Sequence, residues 1–519
     1  MRALLINPPH PSIGSRIPKE HLPPLGLLAI GGALMDAGHH VTLMDADLDP
    51  MAPQDIAERA ASVAPDAILI GHSGSTSAHP MVVNIAACMR ARSPRCVVVY
   101  GGPFPTYHWS QILAACPHID IVVRGEGEET VRRLAQALET GTPLHRIAGL
   151  AFRQAGTPIA TPAASVVTDL DCYRVGWELA DLRRYAYWGG QRAVVVQFSR
   201  GCPHRCTYCG QRGFWTQWRH RDPGKFAREI AWLARERGVR VFNLADEDPT
   251  TSKRAWRNFL EALIDESVDV SLFGTIRADD IVRDADILHL YKRAGIRRIL
   301  LGVDQTDEAT LSQIRKGGAA DKDREAIRLL RQHEILSMIS FVAGFGEETD
   351  GSYWRGMRRL VSYDADLVQT FHATPHHWTP YARSVGGRRV IQPDLGKWDY
   401  KHQVLESARM PAWRVFAWLK AIELVNQLRP RSLLRVLARK DRRTRQIMRW
   451  YYRIGRRVWW HETRDFLFRD RRDNSGPTLA HFWRLAPDQP ETSMAQAARP
   501  RAKIGHVHAP TSMARRVDN

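Results

Sequence analysis

Three cysteines within eight residues, Cys202, Cys206 and Cys209, stand in the run Ser199-Arg-Gly-Cys-Pro-His-Arg-Cys-Thr-Tyr-Cys-Gly210. The C-x3-C-x2-C spacing supplies three thiolates, one fewer than the four that close a [4Fe–4S] cube for electron transfer. Three ligands leave one metal position open, and an open position is where a substrate or cosubstrate binds. The same thiolates with His204 or His220 as fourth ligand describe a zinc site, although zinc sites more often use paired C-x2-C units. Seven cysteines in 519 residues make no disulfide framework. They fit a reducing, cytoplasmic setting, which an exposed iron–sulfur cube also requires.

The chain is long enough for two or three domains, and its 44% hydrophobic and 25% charged residues are those of a globular protein. Over the first 140 residues, short β-branched strands alternate with amphipathic helices. Strands read at 3–7, 41–45, 67–71, 96–100 and 119–124, with helices between them. Uniformly apolar strands signal a parallel sheet covered on both faces, and five such units make an α/β, doubly wound, flavodoxin-like domain. Its ligand belongs beyond the carboxyl ends of the strands. There the sequence reads Asn7-Pro-Pro-His, Gly71-His-Ser-Gly-Ser-Thr-Ser, Gly101-Gly-Pro-Phe-Pro-Thr and Gly125-Glu-Gly-Glu-Glu-Thr. A second strand–helix alternation begins at Ala193, with six strands between 193 and 371. The expected organisation is a ligand-binding domain over 1–148, a linker and cap over 149–191 and an α/β barrel over 192–400. A helical basic–aromatic region over 401–480 and a disordered tail over 487–519 follow. No stretch reads as a secretory signal or a membrane span.

An aromatic residue, Tyr208, precedes the last cysteine, and the motif resembles that of the radical SAM superfamily. Six βα units with the cysteine loop after the first strand match its partial (β/α)6 barrel. The resemblance implies a [4Fe–4S] cluster whose open iron holds S-adenosyl-L-methionine, cleaved on reduction to a 5′-deoxyadenosyl radical. By the same resemblance, Asp246 or Glu247 accepts from the methionine ammonium and Arg277 pairs with its carboxylate. Gln305 stands where many relatives have glutamate, which puts a ribose contact in doubt, and the turn at Gly344 passes close to adenine. The glycine-rich loops ahead of the barrel resemble those of a cobalamin-binding domain. Asn7, Ser73, Ser75, Thr76, Gly101, Gly102, Thr106, Gly125, Glu126 and Glu128 are then the cobalamin-facing positions. There is no D-x-H-x-x-G motif, so no histidine of that motif replaces the lower cobalt ligand.

Two further segments, Phe214-Trp-Thr-Gln-Trp-Arg-His-Arg-Asp222 and Thr374-Pro-His-His-Trp-Thr-Pro-Tyr381, mix flat aromatic surface with cations. Trp215, Trp218, Arg219, His376 and His377 are the substrate-facing candidates, since aromatics suit a planar ligand and arginines suit carboxylates. These segments, with Leu244-Ala-Asp-Glu-Asp-Pro-Thr-Thr and Lys397-Trp-Asp-Tyr-Lys-His, resemble the anaerobic magnesium-protoporphyrin IX monomethyl ester oxidative cyclases of bacteriochlorophyll synthesis. The resemblance runs to about residue 470. It implies closure of the isocyclic ring of a Mg-porphyrin with oxygen from water, and a flavodoxin- or ferredoxin-type electron donor. A cobalamin-dependent radical SAM methyltransferase acting on another lipid or pigment is the alternative. The net charge of +19 is concentrated: between Lys401 and Asp470 there are 18 Lys and Arg against 6 Asp and Glu. Such a block suits nucleic acid, anionic lipid or an anionic small molecule. With a porphyrin substrate, no nucleic acid is expected; the block is read as holding the substrate's free propionate or making peripheral contact with a membrane.

Overall fold

Five short aliphatic runs near the N-terminus form one parallel sheet: β1 (Arg2–Asn7), β2 (His40–Asp45), β3 (Ala67–Ile70), β4 (Val97–Gly101) and β5 (Ile121–Val123). Their order, β2-β1-β3-β4-β5, is the flavodoxin-like winding, with its switch point between β1 and β3. All of β3 is buried, because helices cover both faces of the sheet. These are α1 (Leu25–Asp36), α2 (Pro53–Ser62), α3 (His79–Arg92), α4 (Pro103–Ala115) and α5 (Glu128–Thr140). α4 is kinked at His108 (φ −111°, ψ 17°), so the helical segment expected from Trp109 is present, preceded by a further turn that starts at Pro103, where a proline gives up no helical hydrogen bond. The computed structural model describes all residues except 10–19, 73–75, 212, 216, 318–319, 471, 486–513 and 516–519. Ser73, Ser75 and nearly all of the expected tail therefore lie outside the described residues.

The stretch after α5 is not irregular throughout, as the sequence suggests. β6 (Leu150–Gln154) and β7 (Thr157–Ala160) form an antiparallel hairpin that extends the first sheet beyond β5. Ala155 and Gly156 turn it with φ of 48° and 82°, the left-handed pair that a two-residue hairpin turn needs. Alanine at the first of these positions gives no turn signal in the sequence.

Six parallel strands make the second sheet: Gln191–Val196, Val241–Leu244, Ser271–Ile276, Ile296–Asp304, Leu336–Ala343 and Leu367–His372. They pair in sequence order, which is an open, partial barrel. Ala186–Tyr187 adds antiparallel to its first edge. Leu28 of α1 belongs to the same apolar core as Phe198, Phe226, Trp256 and Tyr291 of the barrel, so the two sheets share packed surface.

The C-terminal helices are Ala412–Gln427, Pro430–Ala438 and Arg442–Phe468. Ile447, Met448, Trp450, Tyr451 and Ile454 of the long helix pack against Ala193, Val241, Leu336 and Leu367, near the amino ends of the barrel strands. This helix closes the barrel floor, opposite the end where such strands deliver chemistry. The expectation that this basic region holds a substrate propionate is thereby corrected: the inner aromatic face of its long helix is consumed in packing, on the wrong side of the sheet. Trp450 is 8% exposed, so Trp450→Ala is expected to cost about 3–5 kcal/mol, read as a lower thermal midpoint of the barrel transition.

Candidate active site

The carboxyl ends of the two sheets meet around a cavity of about 320 Å³. The first sheet contributes Asn7, Gly71, Gly101, Gly102, Gly125 and Gly127 to its wall; the barrel contributes Val195, Gln197, Arg200, Asn243 and Ala245. Glycines at three strand-end loops leave bare backbone facing the space, which suits a large ligand lying against main-chain amides. Gly102 has φ 107°, a conformation that side chains resist. Thr106 does not reach the cavity wall. Its hydroxyl donates to the Gly102 carbonyl (2.7 Å) and accepts from the Gly125 amide (3.0 Å), tying two of the loops together. Thr76 is also turned elsewhere, its hydroxyl 3.0 Å from His376 Nδ1.

Glu126 and Glu128 line the cavity but are already partnered. Arg219 grips Glu126 at 2.7 and 3.1 Å, and Arg200 reaches Glu126 at 3.3 Å and Glu128 at 2.6 Å. Glu126 and Arg219 have side chains only 4% and 7% exposed, so this is a buried ion cluster joining the two domains. Arg219, expected at the substrate, is thus committed to Glu126. Arg200, two residues before Cys202, has no functional expectation from sequence, yet it stands in the cavity wall with its guanidinium 5.8 Å from the Trp215 ring centre.

The cysteine loop leaves the first barrel strand immediately beyond this cluster. Gly201 has φ 92°, and a β-carbon there would lie 2.4 Å from the Gln217 carbonyl, so the chain can pass only as glycine. Burial, reinforced by neighbouring Asp248, pushes the Cys202 thiol up to about 12. Burial and neighbouring Cys206 also raise Cys209. Cysteines clustered in this way on one loop suit a site that a bound metal cluster completes. Of the zinc alternatives, His220 has its Nδ1 2.7 Å from the Arg221 carbonyl and its ring stacked on Phe198.

The two carboxylates after the second barrel strand differ. Asp246 accepts from the Phe198 and Ser199 amides and the Ser199 hydroxyl, and burial raises its pKa to about 6. It braces the start of the cysteine loop and has little capacity left for a ligand. Glu247 accepts only one long bond, from the Gly201 amide at 3.3 Å. Its Oε1 is buried with no hydrogen-bond partner among the described residues, and burial next to Asp246 raises its pKa well above the usual range. A buried, unpaired carboxylate oxygen beside the cysteine loop is the acceptor that an ammonium group would satisfy. Arg277 is paired bidentately with Asp279 at 2.9 and 2.8 Å. Gln305 is spent on backbone, donating to the Val342 carbonyl at 2.8 Å and accepting from the Thr306 amide. Gly344 turns with φ 100°, and its carbonyl accepts from Tyr381 and Arg388.

Tyr208 donates to Asp304, which also accepts from Ser340 and pairs with Lys316 at 2.6 Å. Burial opposes the Lys316 charge, but Asp304 outweighs it and raises the lysine pKa. Sequence reasoning misses this triad, because twelve residues of separation between Asp304 and Lys316 carry no periodic signal. Among the substrate candidates, Trp215 lines the cavity. Trp218 instead donates to the Asp248 carbonyl at 2.9 Å. His376 is buried between Thr76 and Tyr400, its Nε2 2.7 Å from the Tyr400 hydroxyl, and burial lowers its pKa to about 3. His377 packs against His108 (5.1 Å) and Trp483 (5.2 Å). His376 is thus committed to its two hydroxyl partners, whereas His377 stays exposed with ring contacts alone among the described residues. Tyr400, in the cavity wall, is a lining residue the sequence left unmarked.

Two family models match the two halves of this arrangement: "B12 binding domain" over residues 18–135 and "Radical SAM superfamily" over residues 196–360. The radical S-adenosylmethionine methyltransferase TsrM of Kitasatospora setae, solved with cobalamin and a [4Fe–4S] cluster, shares the fold at TM-score 0.63 and 18% identity. That likeness covers 81% of this chain and 88% of that one. The cobalamin-dependent S-adenosylmethionine radical enzyme OxsB shares it at TM-score 0.66 and 16% identity over 89% of this chain and 71% of that one. Fold and site together define a cobalamin-binding radical SAM enzyme. The chain is 55% identical over 95% of its length, and 98% of the relative's, to the anaerobic magnesium-protoporphyrin IX monomethyl ester cyclase of Synechocystis sp.. It is 31% identical over 73% of its length, and 63% of the relative's, to the enzyme of that name from Cereibacter sphaeroides. The chain belongs to the anaerobic magnesium-protoporphyrin IX monomethyl ester cyclase family. Because Glu126 is buried, Arg219→Met is expected to cost about 3 kcal/mol by leaving its carboxylate only the longer guanidinium bond, from Arg200. The double variant with Glu126→Gln should recover much of this in thermal unfolding.

Proposed function

We infer that this chain closes the isocyclic ring of Mg-protoporphyrin IX monomethyl ester without molecular oxygen, giving protochlorophyllide with its ketone oxygen from water. The observation that carries the reading is the 55% identity to a cyclase over 95% of the chain. The geometry agrees with it: the cobalamin-type strand ends and the cysteine loop border one cavity. When bound, the reduced cluster with adenosylmethionine supplies a radical able to take hydrogen from an unactivated propionate carbon, and cobalamin supplies a redox or radical relay.

The chain's residues prepare that chemistry. Cys202, Cys206 and Cys209 hold the cluster, on a loop braced from below by Asp246 and from the side by the Asp304–Lys316 pair through Tyr208. Glu247 Oε1 takes the methionine ammonium, and Arg277 releases part of its bond with Asp279 to meet the methionine carboxylate. Trp215 and Tyr400 give the cavity a flat apolar wall, with Arg200 beside them. Asn7 and the glycine loops at Gly101–Gly102 and Gly125 form the cobalamin face. An electron donor of the flavodoxin or ferredoxin class and a peripheral position at a membrane complete the reading.

Incubating reconstituted enzyme with Mg-protoporphyrin IX monomethyl ester under argon, with reductant and adenosylmethionine, is expected to yield protochlorophyllide and 5′-deoxyadenosine. A methylated porphyrin with no new ring would overturn the cyclase assignment in favour of a methyltransferase. Cys206→Ala is expected to purify without the brown cluster chromophore and to release no deoxyadenosine. Glu247→Gln should retain the cluster but weaken adenosylmethionine binding by on the order of tenfold to a hundredfold, the loss of one charge-assisted hydrogen bond. Equilibrium binding to the reconstituted protein measures it.

A further inference from the structure

Of thirteen exposed large apolar side chains among the described residues, ten lie between Trp413 and Phe468. They are not scattered there. Leu433, Leu434 and Leu437 share one face of the helix Pro430–Ala438, with Leu434 62% and Leu437 64% exposed. Leu424 and Leu428 extend this apolar surface at the end of the preceding helix, and only Leu428 and Arg429 join the two helices. Arg429 fixes that corner by pairing with Asp364 at 3.0 Å.

The cations of this region divide into two sets. Arg429, Arg435 and Arg439 point inward and pair with Asp364 and Asp366, and Arg443 pairs with Asp269. Arg442, Arg449, Arg453, Arg456 and Arg457 recur at helical spacing along the exposed side of Arg442–Phe468 and enter no ion pair among the described residues. Arg449 donates to the Val436 carbonyl at 3.2 Å, which sets this basic stripe beside the leucine face. Trp460, 65% exposed, continues the stripe one turn further on. No helix among the described residues is long and apolar enough to cross a membrane.

We propose that this surface docks the enzyme on an anionic lipid bilayer, the three leucines entering the acyl boundary while the arginine stripe meets lipid phosphates. An apolar face flanked by unpaired cations is the signature of interfacial helices, and each cation near an anionic surface is worth about 1 kcal/mol. A second copy of the chain fits less well, because self-association would bring the arginine stripes toward one another. A nucleic acid fits less well because it gives the exposed leucines nothing to enter. The surface lies on the floor side of the barrel, so docking leaves the cavity mouth accessible.

The test uses the full-length holoenzyme with vesicles of phosphatidylcholine alone or mixed with phosphatidylglycerol, read by co-sedimentation. The protein is expected to bind the mixed vesicles, to leave them as salt rises, and to ignore the neutral ones. Arg449→Glu/Arg453→Glu and, separately, Leu434→Ser/Leu437→Ser should each lower vesicle partitioning by at least about tenfold. Both should keep the parent thermal midpoint and its rate of adenosylmethionine cleavage in detergent, which shows the variants are folded. Binding by both variants equal to the parent's, equal binding to neutral vesicles, or no binding to the mixed ones would overturn the proposal. So would a concentration-dependent dimer abolished by Leu434→Ser/Leu437→Ser, or RNA binding lost in Arg449→Glu/Arg453→Glu without any binding to the mixed vesicles. The porphyrin assay stands apart, so cyclase activity without vesicle binding counts against docking alone.

Discussion

One buried carboxylate, Glu126, holds the two halves of this protein in working register. It sits at a strand end of the first domain and takes guanidinium hydrogen bonds from Arg219 and Arg200, on either side of the cysteine loop. Two ionised partners removed from water are stable only when each hydrogen bond is made, and here they are made across a domain boundary. The same contact therefore sets the distance between the cobalamin-type strand ends and the loop that holds the cluster. It acts together with the apolar core that the two sheets share through Leu28.

From that junction the rest of the site follows by successive bracing. Asp246 fixes the exit of the first barrel strand, Gly201 lets the loop pass beneath Gln217, and Asp304 anchors Tyr208 inside the loop. Each is buried and satisfied, and each holds its neighbour instead of reaching toward a ligand. Among the described carboxylates beside the cysteine loop, Glu247 keeps a buried oxygen, Oε1, without a hydrogen-bond partner. A buried acceptor left without a partner in such a braced site is informative.

The opposite end of the barrel shows a different economy. The long C-terminal helix uses its inner face to seal the strand starts and leaves its outer face basic and unpaired. A single helix thus completes a core and presents a surface. The charge excess noticed in the sequence is real, but half of its meaning lies in which arginines the aspartates of the barrel capture.

The amino-acid sequence by itself determined the two strand–helix alternations, the flavodoxin-like and partial-barrel class, and the cysteine triplet, because periodicity and spacing are local properties that survive without a fold. It also marked the loops that carry chemistry, since glycine clusters at strand ends are legible in one dimension. It misread the hairpin at Ala155-Gly156, where an alanine adopts the left-handed conformation under tertiary constraint. It could not rank neighbours such as Asp246 against Glu247, nor foresee that Arg219 and His376 are turned into structure. Those outcomes depend on partners more than forty residues away, such as Ser199 for Asp246, Glu126 for Arg219 and Thr76 for His376. Which side chain is paired and which is left open is decided by long-range burial, and only the tertiary structure contains that information.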